Sequence, residues 1–113
     1  TLIVMMIETP EAVENATSIA GVDGVDILLV GGSDLSATMG IPGQFQSPKF
    51  VEAISSVAEA TLSVSKWPGL GGVYDETILP SFAKLGIRFF LGGSDMTFIL
   101  AGARARGDFF NNL

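Results

Sequence analysis

Residues 25–36 read VDILLVGGSDLS, and residues 87–96, IRFFLGGSDM, nearly repeat them. In both, an apolar run breaks at two glycines and a Ser-Asp pair. Apolar side chains at consecutive positions, rather than alternate ones, suit a parallel strand buried on both faces. The glycines permit a sharp turn and leave backbone N–H groups clear of any Cβ. A strand that ends this way and leads into helical spacing is one βα unit. The repeat prompts a search for more of them.

Upstream, Leu2–Ile7 is another continuous apolar run. Thr9-Pro10 then offers an N-cap and a first-turn proline, and Val13, Ala16, Ile19 and Ala20 follow at helical spacing until Gly21 and Gly24. Downstream, GIPGQFQS (40–47) reads as a loop, and Ser47-Pro48 opens a helix whose face is Phe50, Val51, Ile54, Val57, Ala58 and Leu62, reaching about Ser65. A short third strand is expected over 68–73, although its glycines weaken the pattern. Asp75 is the expected cap of a helix that buries Ile78, Leu79, Phe82 and Leu85 and closes at Gly86. The fourth strand is Ile87–Leu91, and a last helix covers 96–106 with Asp95 as its cap.

Strands alternating with helices predict an α/β fold with a parallel sheet. Two architectures meet that description: a small open doubly wound (flavodoxin-like) sheet and half of a TIM (β/α)8 barrel. A whole barrel takes about 250 residues. The 113 residues here are about half of that and begin inside a strand, so a single partial-barrel domain over 1–113, with about four βα units, is the expectation.

Composition narrows the chemistry. Six basic against 12 acidic residues give a net charge of −6, which repels a phosphate backbone and argues against nucleic acid as a partner. There is no cysteine and no histidine, hence no thiolate, no imidazole base and no zinc knuckle. No apolar run approaches the ~20 residues of a bilayer span, and residues 1–10 do not resemble a signal peptide, so the expected compartment is the cytoplasm, with no membrane partner. An apolar share of 48% is high for so short a chain and implies that some surface is meant to be covered.

Active groups of parallel α/β folds sit at the carboxyl ends of strands. Glu8, Asp34, Tyr74, Asp75 and Asp95 hold such positions. Glu8 and Asp34 end consecutive strands, which lie about 4.8 Å apart, so two such carboxylates can converge on one ion. Water and a chelating substrate completing the shell is the usual arrangement for Mg²⁺. Oxygen donors alone select a hard or borderline divalent ion: Mg²⁺ is expected, with Mn²⁺ or Co²⁺ as alternatives. The competing roles are a surface glutamate in the first helical turn for Glu8 and an N-cap for Asp34. The N–H groups of Ser33 to Leu35, freed by Gly31 and Gly32, are suited to a carboxylate or phosphate. Lysines do not fit a Schiff base: Lys49 and Lys84 fall in helices and Lys66 precedes a strand. Arg88 begins a strand, and Arg104 and Arg106 flank the carboxyl end of the last helix, so none is placed as a substrate clamp. Trp67, Phe109 and Phe110 read as packing groups, the last two as a docking point for the terminal helix.

MMIETPEAVENATSIAGVDGVDILLVGGSDLSATMGIPGQ (5–44) resembles the HpcH/HpaI aldolase and citrate-lyase family of metal-dependent class II pyruvate aldolases, through I-E-T-P-E-A-V-E-N, G-x-x-D-L-S and G-x-P-G-Q. LGIRFFLGGSD (85–95) and the later G-A-R are similar to its last barrel strand and helix. The resemblance covers nearly the whole chain but only the carboxyl-terminal half of the family's barrel, strands five to eight. It implies that Glu8 and Asp34 form the metal pair, that Gly32, Ser33, Asp34 and Leu35 receive the carboxylate of pyruvate or an oxaloacetate-like 2-oxo acid, and that the whole enzyme is a lyase cleaving 4-hydroxy-2-oxo acids to pyruvate and an aldehyde. It also implies a homo-oligomer. The family's catalytic histidine and substrate arginine belong to the other half, so this chain supplies no catalytic residue and by itself is expected to be inactive, lacking its amino-terminal half. The competing function is a catalytically inactive half-barrel that serves as an oligomerising or binding module. One departure stands out: the family's turn commonly carries proline after its first glycine, and here the residue is Gly32.

Overall fold

In the computed structural model, which describes residues 1–113, four parallel strands follow one another in the sheet: β1 (Val4–Ile7), β2 (Ile27–Gly31), β3 (Trp67–Gly71) and β4 (Phe89–Phe90). Helices α1 (Pro10–Glu14) and α2 (Ala16–Ala20) link β1 to β2, and α3 (Gly32–Thr38) and α4 (Pro48–Ser63) link β2 to β3. Helix α5 (Leu79–Lys84) links β3 to β4, and α6 (Asp95–Asn111) follows. A doubly wound sheet reverses its strand order at a switch point, whereas a barrel winds in one direction. The unreversed order β1-β2-β3-β4 is the barrel's, and the open-sheet alternative falls away.

Register sorts the side chains. Ile7 pairs with Val30 and Val30 with Leu70, and these residues join Leu28, Phe50, Ile54, Val57 and Phe82 in one core of 17 buried residues beneath the helices. The Phe50 ring packs 5.4 Å from Phe45 and 6.1 Å from Phe82, centroid to centroid. Alternate residues face the barrel interior instead, and there Met6, Trp67 and Leu91 are exposed because nothing covers that face. The glycines that blur the third strand's pattern have a packing reason. A Cβ at Gly69 would lie 3.1 Å from both Leu29 and Phe89, and one at Gly71 would lie 2.8 Å from Leu91. Large neighbours fill the space that β3 leaves.

Several boundaries differ from expectation. The helix after Thr9 is broken in two at Asn15, whose side-chain amide and backbone N–H both donate to Glu11 O, at 2.8 and 3.1 Å. Thr9 does cap it, accepting from Ala12 N at 3.1 Å. β1 begins at Val4 because Ile3 N donates to the Asp26 carboxylate at 2.8 Å rather than to the ladder. On α4, Thr61 enters the core while Leu62 is exposed. β4 shortens to Phe89–Phe90, having a neighbour on one side only.

Neither aspartate expected to cap does so. Asp75 lies three residues before the N-cap Ile78 of α5, and its carboxylate instead accepts from Thr77 N at 2.8 Å and Thr77 Oγ1 at 2.6 Å. Ser94 caps α6, leaving Asp95 as its first residue with its carboxylate on Met96 N at 2.8 Å. α6 also runs on to Asn111 and buries none of its residues. It stands away from the sheet: the radius of gyration is 16.2 Å, against about 13 Å for a compact chain of this length. On it, Arg106 lies over the rings of Phe109 (4.9 Å) and Phe110 (4.6 Å), both exposed. No helix is long and apolar enough to cross a membrane.

Candidate functional site

Glu8 follows the last paired residue of β1, opposite Gly31, since Ile7 is level with Val30. Alternation then points it to the interior face, away from the Ile7 and Val30 core. It is half-buried and outside any helix, with Thr9 as the cap that follows, so the first-turn surface role is not the one it has. Its side chain lies across β2: an added Cβ on Gly31 would sit 2.8 Å from Glu8 Oε1 and 2.9 Å from Glu8 Cγ. The Thr38 hydroxyl, on α3, donates to Glu8 O at 2.8 Å, with Leu35 O an alternative acceptor at 2.9 Å. The end of β1 is therefore tied to both ends of the segment that carries Asp34.

Asp34 is the third residue of α3, exposed, and not its cap; Gly31 holds the cap position and no side chain caps the helix. Its negative charge lies in the first turn, where the helix dipole favours it. Ser33 spends its hydroxyl on Gly72 O, at 3.0 Å. Leu35 is fully buried in the core, so only its backbone faces outward chemistry. Gly32 is buried too: a Cβ there would meet Val73 Cγ2 at 2.6 Å and Gly71 O at 3.1 Å. That contact accounts for glycine at this position. Gly72, with φ +75°, approaches from the other side, its absent Cβ 3.0 Å from Ser33 N and 3.5 Å from Gly32 N. Any larger residue at 72 would lie on those amides.

The loop after α3 is pinned by buried Ser36, which donates to Ser33 O at 3.0 Å and accepts from Gly43 N at 3.1 Å. Lys49 Nζ donates to Met39 O at 2.8 Å, a structural use. Arg88 donates to Ala83 O at 2.8 Å and so caps the carboxyl end of α5. Tyr74 and Asp75 are exposed beyond β3, and the Thr77 hydroxyl and amide hold the Asp75 carboxyl below its usual range.

The donor set suits a hard cation. No group of three or more acidic, His or Cys side chains gathers anywhere; where a site has only two carboxylates, Mg²⁺ commonly keeps water and substrate in the remaining positions. The Glu8 side chain lies directly over Gly31, in the space a Cβ there would take. Thr38 and Gly72 were not marked by any sequence pattern, and Gly31 was marked only as a turn residue; their parts in the site follow from strand register and from contacts 30 or 39 residues apart in the chain.

Residues 1–100 match the HpcH/HpaI aldolase/citrate lyase family. The chain belongs to that family. It is 42% identical over 103 residues to the 4-hydroxy-4-methyl-2-oxoglutarate aldolase of Hapsidospora irregularis, a match spanning 89% of this chain and 38% of that protein. The 4-hydroxy-2-oxo-heptane-1,7-dioate aldolase of Salmonella paratyphi B is 36% identical over 103 residues, 91% of this chain and 39% of its own length. The crystal structure of an HpcH/HpaI aldolase from Desulfitobacterium hafniense superposes with a TM-score of 0.84 at 28% identity, covering 99% of this chain and 43% of that one. This member of the HpcH/HpaI family thus spans about two fifths of the relatives it matches, and its fold is four βα units of their TIM barrel.

Proposed function

We propose that the chain is the metal-binding, carboxyl-terminal half of an aldolase, strands five to eight, that cleaves 4-hydroxy-2-oxo acids to pyruvate and an aldehyde. The observation that carries this reading is the Glu8 carboxylate, turned inward across Gly31 at the carboxyl end of β1. Membership of the HpcH/HpaI family supplies the reaction class.

In this reading Glu8 and Asp34 hold one divalent cation, Mg²⁺ or else Mn²⁺ or Co²⁺. When bound, such a cation supplies positive charge against the negative charge that develops on the 2-oxo group as the C–C bond breaks. The backbone N–H groups of Ser33, Asp34 and Leu35, beginning at Gly32, orient the substrate carboxylate. Gly72 leaves room for it, and the Ser33 hydroxyl keeps β3 and α3 together around it. The family resemblance assigns proton transfer to a histidine, and this chain has none. The chain by itself is then inactive, and the working enzyme is an oligomer in the cytoplasm.

The test is a complete barrel made from this chain and a relative's remaining half. Glu8→Gln and Asp34→Asn are expected to abolish Mg²⁺- or Mn²⁺-dependent pyruvate release, and wild-type rates in either variant would remove that residue from the site. A second reading, a half-barrel that binds or oligomerises without catalysis, is favoured by the uncovered face at Met6, Trp67 and Leu91. Pyruvate release by the complete barrel decides against it.

A further inference from the structure

We infer that Gly31 and Thr38 are positioning residues for the Glu8 carboxylate, Gly31 by leaving it room and Thr38 by anchoring the backbone beneath it; the inference rests on the proposed role of Glu8. Gly31 has φ −81° and ψ 88°, and a φ of −81° is open to every residue, so the backbone does not demand glycine. What glycine provides is space. The three atoms nearest its missing Cβ all belong to Glu8: Oε1 at 2.8 Å, Cγ at 2.9 Å and Cδ at 3.3 Å. At its neighbour Gly32 the two closest atoms belong to Val73 and Gly71, a core contact. The two glycines of the repeated turn therefore serve different ends, one the carboxylate and the other the packing. The second copy of the turn carries no such arrangement, because nothing lies within 4 Å of a Cβ at Gly92.

Thr38 supplies the other constraint. Its hydroxyl reaches from the last turn of α3 to Glu8 O, at 2.8 Å across 30 residues. That hydroxyl, which also has Leu35 O within 2.9 Å, ties the end of β1 to the helix that bears Asp34. Rotating or translating β1's end would move Glu8 relative to Asp34, and the hydroxyl opposes that. Partners that orient metal ligands in this way typically change metal affinity by about 10–100-fold when removed.

The test measures Mn²⁺ binding to the 113-residue chain by electron paramagnetic resonance of the free ion, with Glu8→Gln as reference. Gly31→Ala and Thr38→Val are each expected to weaken Mn²⁺ binding by about tenfold or more, and Thr38→Ser, which keeps the hydroxyl, to restore it. Thermal unfolding separates space for the carboxylate from a general need for glycine. Gly31→Ala is expected to lower the melting temperature of the wild type but not of Glu8→Ala, where the carboxylate is gone. If Glu8→Gln loses Mn²⁺ while Gly31→Ala and Thr38→Val bind as wild type, the inference is wrong and the metal pair stands. An equal loss of melting temperature from Gly31→Ala in both backgrounds also overturns it, because the methyl would then act on the sheet. Wild type that takes up no Mn²⁺, or Glu8→Gln that binds normally, sinks the metal pair and this inference together.

Discussion

Replacing Gly32 with alanine puts a number on the contact that keeps a side chain out of this turn. The new Cβ would stand 2.6 Å from Val73 Cγ2 and 3.1 Å from Gly71 O, whereas carbon atoms in contact prefer about 3.5–4.0 Å. Val73 is 2% exposed and belongs to the core, so it has little room to yield. Overpacking of this kind costs about 1–3 kcal/mol. Against it stands the gain from restricting the unfolded chain, about 0.4–1 kcal/mol for Gly→Ala at a helical position. The net expectation is a loss of about 1–2 kcal/mol, or roughly 4–8 °C in melting temperature for a domain of this length. Urea unfolding of Gly32→Ala, Val73→Ala and the double variant measures it. With Val73 trimmed, the alanine at 32 should become neutral or stabilising, giving a coupling of about 1 kcal/mol or more. If the alanine costs the same in both backgrounds, or stabilises the wild type, Val73 is not the reason for glycine and the packing account fails.

Two further outcomes follow from local geometry. Ser65, the one non-glycine residue with a positive φ (61°), closes α4 in the left-handed region, and Ser65→Gly should raise stability by about 0.5–1 kcal/mol; an unchanged urea midpoint would count against strain there. The Thr77 hydroxyl is the first cause of the lowered Asp75 pKa, so Thr77→Val should move that carboxyl back up, read by NMR titration. Because the folded value is depressed, its stabilising contribution is present above the ordinary carboxyl range and lost as pH falls through the folded value. The variant should therefore lose less stability on acidification, and an unmoved titration would refute the assignment.

Much of this architecture was legible in the chain because its signals are local. Apolar runs at 2–7, 27–30 and 89–91 mark strands of a parallel sheet, and Thr9-Pro10 and Ser47-Pro48 mark helix starts through hydrogen bonds spanning three residues. Where two local signals compete, the pattern misleads. Apolar spacing carries through Asn15, where the helix breaks, and Ser94 rather than Asp95 holds the cap position: its hydroxyl accepts from Thr97 N three residues on, whereas the Asp95 carboxylate accepts from the adjacent Met96 N. The direction in which α6 leaves the sheet has no local signal at all.

The site divides along the same line. Sequence by itself determined that no imidazole or thiolate was on offer and that Glu8 and Asp34 lie at the ends of neighbouring strands, because composition and chain order are sufficient for those statements. Tertiary structure alone decided which face Glu8 takes, that Gly31 lies beneath its carboxylate, and that Thr38 and Gly72 close around the turn. Those facts depend on the register between strands and on contacts between residues far apart in the chain. A linear pattern carries no record of either.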